Sequence, residues 1–447
     1  MPVKIGMVSL GCSKNLVDSE RMLYKVRERG YEIVTDPAKA NVVIVNTCGF
    51  IKEAKEEAIE TILELAKLKE EGTVKKIIAT GCLVQRYREE FEAEFANEVD
   101  AVAGIGSEDD ILGLIDKVLA NEHVVEFKDK LLLECTGKRI ITTLPFFTYL
   151  KIAEGCSNCC SYCAIPMIRG KYRSVPMEDV LEEAKWLAEN GITELIVVAQ
   201  DSTRYGEDLY GKSRLPELLR ELCKIDGLKW IRVLYCYPER ITDELIDVIA
   251  SEPKIVKYMD IPIQHSDEKI LKAMGRGGSE AELRALFRKL REKIDGLVIR
   301  TTLITGFPGE TEEQFNSMAE FIKDMEFDKL GCFPYSEEEG TKAATMPDQV
   351  DEEVRQHRAE IIMEQQQLIS EQKNLRMIGK TVEAVVEGFD QWAECYFGRT
   401  AGDAPDIDGK IFFDCDRKLE VGQFVHVHVN ESLDYDLMGE VTDEPAE

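Results

Sequence analysis

The sequence predicts an α/β protein in three parts: an N-terminal doubly wound α/β domain, a central partial (β/α)6 barrel and a small C-terminal β-barrel. Three observations predict it. From residue 3 to about 125, short apolar runs alternate with amphipathic stretches; six more strand–helix units follow with near-continuous apolar strands; and beyond residue 379 short strands recur at even spacing with no helical pattern between them. A chain of 447 residues has room for roughly three domains, which we place at 1–140, 141–379 and 380–447.

In the first domain the strands are "VKIGMVSL", "NVVIVNT", "KKIIATG" and "DAVAGIG". Cys12, Cys48 and Cys82 each stand just after one of the first three and just before a helical segment. Strands of a parallel sheet all end on one edge, where such folds place ligands, so three thiols converge on one rim. Cysteine is a common small residue at strand ends, which accounts for one or two such positions but poorly for three. No fourth cysteine follows "DAVAGIG", and a metal site built on this set keeps one position open.

A connector over 126–145 leads to "FTYLKIAEG", "ELIVVAQ", "WIRVLYC", "KYMDIPI", "LVIRTTLI" and "KLGCFPY", with helices such as "PMEDVLEEAKWLAENG" between them. Six units rather than eight imply a barrel open on one side. After its first strand comes "EGCSNCCSYCAIP", on the face where such barrels carry chemistry. This stretch has two readings. As two CxxC pairs, Cys156/Cys159 and Cys160/Cys163, it is a structural zinc knot. As Cys156, Cys160 and Cys163 alone, it is C-x3-C-x2-C, which leaves a four-iron cluster one ligand short and one iron open. Residues 351–378 read as a long polar helix with Gly379 as its C-cap. The strands "TVEAVVEGFD", "AECYFGRT", "KIFFDCD", "FVHVHVN" and "LMGEVT" then predict a five-stranded OB-like barrel. His426 and His428 share the outer face of one of these strands, where we expect solvated side chains rather than a metal site.

Net charge is −29, from 85 acidic and 56 basic residues. A chain this acidic repels phosphate backbones except at a local basic patch, and it suits a basic protein partner. The N-terminus lacks an apolar segment behind a basic start, and no run reaches the roughly 20 apolar residues of a membrane span. We expect a cytoplasmic protein. In a reduced compartment thirteen cysteines point to metal or catalysis rather than disulfides. The scattered Cys135, Cys223, Cys236, Cys332, Cys395 and Cys415 are expected to be small apolar fillers.

The C-x3-C-x2-C spacing, with Tyr162 just before Cys163, resembles the radical S-adenosylmethionine (SAM) superfamily, and "LITGFPGET" is similar to its glycine-containing fifth-strand element near the adenine. Two three-cysteine sites followed by a small TRAM-like β-barrel resemble the methylthiotransferase family over essentially the whole chain. "SLGCSKNLVDSE", "VNTCGFI", "TGCLVQRY", "IRGKYRS", "AQDSTRYGEDLYG", "YCYPERIT" and "DAPDIDG" are similar to its ribosomal-protein branch rather than its tRNA branch. Two positions depart from the pattern: Ser13 stands where proline is frequent, and Cys159 is a spare thiol where a polar or basic residue is usual.

The resemblance implies two [4Fe-4S] clusters, one on Cys12, Cys48 and Cys82, the other, SAM-binding, on Cys156, Cys160 and Cys163. It implies insertion of a methylthio group at the β-carbon of an aspartate in small-subunit ribosomal protein number twelve, a basic protein of the decoding centre. One SAM supplies a 5'-deoxyadenosyl radical and a second the methyl group. A flavodoxin- or ferredoxin-type electron donor and a sulfur donor are implied as partners. Tyr162, Gln200, Asp201, Arg300 and Gly306 are candidate SAM contacts, with structural ion pairing the alternative for Asp201 and Arg300. The C-terminal barrel is expected to expose Asp403, Asp406, Asp408, Asp414 and Asp416 to a Lys/Arg-rich protein and not to bind RNA.

Overall fold

The computed structural model describes residues 2–444 and Ala446. The first sheet holds β1 (Lys4–Ser9), β2 (Glu32–Val34), β3 (Val42–Thr47), β4 (Lys76–Gly81), β5 (Ala101–Ala103) and β6 (Val124–Glu126). All its pairings are parallel, in the order β2-β1-β3-β4-β5-β6. Strand β3 is buried along its whole length because helices cover both faces. The edge strands β2 and β6 were not anticipated. At three residues each they are too short to show a period in the sequence.

The second sheet holds β7 (Phe147–Lys151), β10 (Glu194–Val198), β11 (Trp230–Val233), β12 (Ile255–Asp260), β13 (Val298–Thr305) and β14 (Lys329–Pro334). A two-residue pairing of β8 (Ala153–Glu154) with β9 (Arg173–Ser174) flanks the cysteine stretch. The six long strands are parallel in chain order, the six-unit open barrel expected, with β7 and β14 at its edges. The long helix Glu352–Leu375 packs against β14 and β13. Strands β15 (Thr381–Asp390), β16 (Cys395–Thr400), β17 (Ile411–Asp414), β18 (Phe424–Ser432) and β19 (Leu437–Thr442) close into a five-stranded barrel. His426 and His428 alternate with buried Val425, Val427 and Val429 on β18, half-buried rather than free in solvent.

The C-terminal barrel lies against the inner face of the open barrel. Val385, Ala404 and Phe424 join Phe147, Tyr149, Trp230 and Tyr258 in one apolar cluster. Within the contact, buried Glu194 takes Arg232 Nε at 3.1 Å and Arg399 Nη1 at 3.2 Å. The loop 403–408 departs from expectation. Asp403 is buried and pairs with Lys329 at 2.7 Å, while Asp408 accepts from the Tyr258 hydroxyl at 2.7 Å and lies 3.7 Å from Arg300. These two carboxylates anchor the domain, since a carboxylate beside the cations of an open barrel gains more from pairing than from display. Asp406, Asp414 and Asp416 remain exposed. Among the described residues no helix is long and apolar enough to cross a membrane.

Candidate active site

The order of the first sheet reverses between β1 and β3, the point at which doubly wound sheets open a crevice. Cys12 follows β1 as the N-cap of α1 (Ser13–Glu28), Cys48 follows β3, and Cys82 opens α3 (Cys82–Arg86) after β4. Two glycines bring these ends together. At Gly11 (φ +93°) a methyl group would sit 2.7 Å from Cys48 Cβ. At Gly49 it would sit 2.6 Å from Leu83 Cα and 3.0 Å from the Cys82 carbonyl carbon. Burial, with the charges of Cys12 and Cys48, pushes the Cys82 thiol up to about 12, and the Arg169 guanidinium opposes it. Cys48 is also raised by burial. Cys12 is exposed at the rim. The surrounding protein disfavours its thiolate, but Lys14, Arg169 and the N–H groups of Asn15 and Lys14 outweigh this and hold it below its ordinary value.

The second thiol set stands at the C-terminal mouth of the open barrel. Cys156 N–H donates to Gly170 O at 3.1 Å, and Ser161 N–H to Met274 O at 2.8 Å, so the loop is held on both sides. The Cys160 sulfur lies 3.3 Å from the Tyr237 hydroxyl. Burial, with neighbouring thiols, pushes Cys163 up to about 12 and Cys156 up to about 11. Cys159 is exposed, with φ +54°, whereas Cys156 and Cys160 are buried. Among the described residues no three His, Cys, Asp or Glu side chains close on one point as ligands of a single ion do. Each set offers three thiols, and in the first set any side chain larger than glycine at Gly11 or Gly49 would collide with Cys48 or with the backbone at Cys82. That chemistry fits a [4Fe-4S] cluster with one iron free of protein ligand.

The first domain and the barrel meet beside both sets. Lys14, from the first domain, lies 3.7 Å from the centre of the Tyr235 ring at the end of β11. On another side Glu338, from the loop after β14, takes Arg86 at 2.6 Å and Lys55 at 3.0 Å, and Arg86 also donates to Gly49 O beside Cys48. Among the described residues, Cys159, Tyr235 and Gln264, three of the eight non-glycine residues with positive φ, lie just beyond C-terminal strand ends at the barrel mouth. Strained backbone of this kind gathers at functional sites.

The candidate SAM contacts are placed as follows. Tyr162 packs against the buried cluster of Ile270, Met274, Phe307, Tyr335 and Ala343. Gln200 donates to Glu154 at 3.2 Å, and its buried Oε1 has no partner. Asp201 is buried, accepts from Asn158 at 2.8 Å and lies 3.5 Å from Arg240, so it braces the cysteine loop. Arg300 is paired with Asp260 at 2.9 Å. Gly306 N–H donates to Glu310, and a methyl there would meet the Arg355 side chain at 2.3 Å.

Sequence reasoning missed Tyr237 and Arg276, whose guanidinium lies 4.0 Å from the centre of the Tyr237 ring. Arg276 belongs to "GRGGS", and a methyl group on the first glycine of that run would lie 3.3 Å from Cys159 O. The glycine-rich run was the only signal in the sequence.

The chain is 52% identical over 438 residues to the ribosomal protein uS12 methylthiotransferase RimO of Lachnoclostridium phytofermentans, covering 98% of this chain and 99% of that one. It is 48% identical to the RimO of Clostridium acetobutylicum, covering 99% of each. The chain belongs to the RimO family of methylthiotransferases. Consistent with that family, the Radical SAM superfamily matches residues 150–322, the uncharacterized protein family UPF0004 residues 4–104, and the TRAM domain residues 378–442. Solved structures share the fold. The radical SAM methyltransferase TsrM from Kitasatospora setae superposes with a TM-score of 0.56 at 14% identity, over 74% of this chain and 72% of that one. The cobalamin-dependent SAM radical enzyme OxsB gives 0.52 at 13% identity, over 81% and 56%. As a RimO-family enzyme the protein is a radical SAM methylthiotransferase whose cofactors are [4Fe-4S] clusters and SAM.

Proposed function

We propose that this enzyme inserts a methylthio group at the β-carbon of an aspartate in ribosomal protein uS12. Cys12, Cys48 and Cys82 hold one cluster and Cys156, Cys160 and Cys163 the SAM-binding one. The observation that carries this reading is the adjacency of two three-thiol sets across the domain boundary: Arg169 of the barrel donates to Cys82 Sγ at 3.4 Å, and its neighbour Gly170 accepts the Cys156 N–H at 3.1 Å. The cofactors supply an electron and a hydrogen-abstracting radical, which an unactivated C–H bond requires because no side-chain base can ionise it.

The chain's own residues hold and shield. Tyr237, stacked under Arg276, fixes the Cys160 sulfur. Asn158, held by Asp201 and Arg204, donates its N–H to Cys156 Sγ at 3.5 Å. Gln200 Oε1, buried without a partner, is the free acceptor we assign to SAM, and Tyr162, packed against the cluster of Met274 and Phe307, is a second contact. Asp201 and Arg300 position these groups rather than touch the cofactor. Exposed Asp406, Asp414 and Asp416 steer the basic substrate. A flavodoxin- or ferredoxin-type carrier delivers electrons and a separate donor the sulfur, in the cytoplasm.

Mass spectrometry of ribosomal proteins and tRNA from cells with and without this chain tests the reading. We expect a methylthio mass increment on one uS12 aspartate that depends on the chain. An unmodified uS12 beside chain-dependent methylthio-adenosine in tRNA would overturn it.

A further inference from the structure

The short helix Ile165–Arg169 ends in a side chain that does more than bias the charge of Cys12 and Cys82. Arg169 belongs to the barrel and is 2% exposed, yet three of its bonds cross to the first domain. Nε donates to Cys82 Sγ at 3.4 Å, Nη1 to Asp18 at 2.9 Å and Nη2 to Asn15 Oδ1 at 2.7 Å. Within the barrel, Nη1 also donates to Glu154 at 2.9 Å. The next residue, Gly170, accepts the Cys156 N–H at 3.1 Å. A single dipeptide therefore grips one cysteine of each set.

The surroundings are built for this grip. Gly155 has φ +72°, and a methyl on it would lie 2.6 Å from Gly170 O, so only glycine lets that carbonyl reach Cys156. Asn15 donates to Leu10 O at 2.7 Å and sits within 3.3 Å of Asn46 O and Thr47 O, tying Arg169 to the ends of β1 and β3. Lys151, paired with Asp18 and Glu154, completes a buried set of two cations and two carboxylates. The charges balance, and the guanidinium keeps its N–H on sulfur. Hydrogen bonds to cluster sulfurs and nearby charge are among the factors that set the potential of an iron–sulfur cluster.

We propose that Arg169 is a positioning residue that fixes the spacing of the two cluster sites and, through its N–H on Cys82 Sγ, raises the reduction potential of the N-terminal cluster. The proposal rests on Cys82 being a ligand, as proposed above. A cation donating to sulfur favours the more negative, reduced cluster, so its loss should lower that potential alone. Misplacement of the two sites by about 1 Å is enough to cost ~100-fold in product.

The test uses reconstituted full-length protein. Two variants keep the buried charge balanced: R169K, which keeps the cation but not the planar fork, and R169Q with D18N. Iron content, cluster-resolved potentials by EPR-monitored titration, 5'-deoxyadenosine and methylthiolated product are measured. We expect iron content retained in full, the N-terminal potential shifted negative, the barrel potential unmoved, and product lost relative to 5'-deoxyadenosine by ~10–100-fold. An unchanged N-terminal potential in both variants, or equal loss of both clusters, would overturn the proposal. C82A provides the separate arm: retention of the N-terminal cluster there would sink the ligand assignment itself.

Discussion

Glu108 lies in the turn Ile105–Asp110 beneath the N-terminal thiols, buried, with Thr80 Oγ1 donating to its Oε1 at 3.3 Å and no partner for Oε2. Burial, then the charge of Asp18, push it up to about 8 against the pull of Arg169 and Lys151. The folded chain therefore keeps a proton that the unfolded chain loses near 4.5. Stability from this group is whole below about pH 4.5 and is lost as pH rises towards about 8. Glu108→Gln is neutral in both states and escapes the loss. Each pH unit in the window is worth about 1.4 kcal/mol, so between about pH 5.5 and 8 the advantage of the variant should grow by about 3 kcal/mol. With about 2.1 cal/mol/K of unfolding entropy per residue, a chain of 447 residues shifts by about 1 °C per kcal/mol, and the gap in Tm should widen by about 3 °C. Calorimetry of the cluster-free chain and its variant at three pH values measures this gap. A gap independent of pH, or a variant less stable than the wild type at alkaline pH, would refute a protonated Glu108.

Alanine for all three of Cys12, Cys48 and Cys82, or all three of Cys156, Cys160 and Cys163, should remove about half the iron, and Cys159→Ala none, by iron and sulfide analysis of reconstituted protein. Gly11→Ala should cost the N-terminal cluster and Gly155→Ala the barrel cluster, each resolved by EPR, because the added methyl meets Cys48 in one and Gly170 O in the other. Arg399→Ala leaves the buried Glu194 and Glu387 with Arg232 as the one remaining cation among them and should cost about 3–5 kcal/mol, read as faster proteolytic release of the C-terminal barrel. Neutralising Asp406, Asp414 and Asp416 together should weaken uS12 binding and flatten its salt dependence without lowering Tm, whereas Asp403→Asn should lower Tm.

The strands that matter were legible because burial on both faces writes them as continuous apolar runs, as in "VVIVNT". The thiol sets were legible because each cysteine is tied to a strand end or a fixed local spacing. What supports them was hidden, since it depends on contacts distant in sequence. Tyr237 and Arg276 meet Cys160 from about 77 and 116 positions away, and nothing local marks either as a neighbour. Asp403 and Asp408 were read as a display for the same reason: an acidic, glycine-containing run reads as a solvated turn until Lys329, Tyr258 and Arg300 are placed around it.

That correction sharpens the case for a protein partner at the C-terminal barrel. From residue 380 onward there are seventeen acidic and five basic residues. Docking, together with the Glu387–Arg399 pair inside the C-terminal barrel, takes up four acids: Glu383 on Lys229, Asp403 on Lys329, Asp408 in the barrel interior, and Glu387 itself. It also buries Arg399, which leaves Lys380, Lys410, Arg417 and Lys418 as the cations that still face water. Thirteen carboxylates remain against these four. Phosphate binding gains its affinity from lysines and arginines that release counterions, and each carboxylate near the contact subtracts from it. Had docking consumed most of the acids, the exposed remainder could have turned neutral and admitted RNA. It consumes only four and takes one arginine with them, so the face left to a partner keeps the sign that attracts a basic protein.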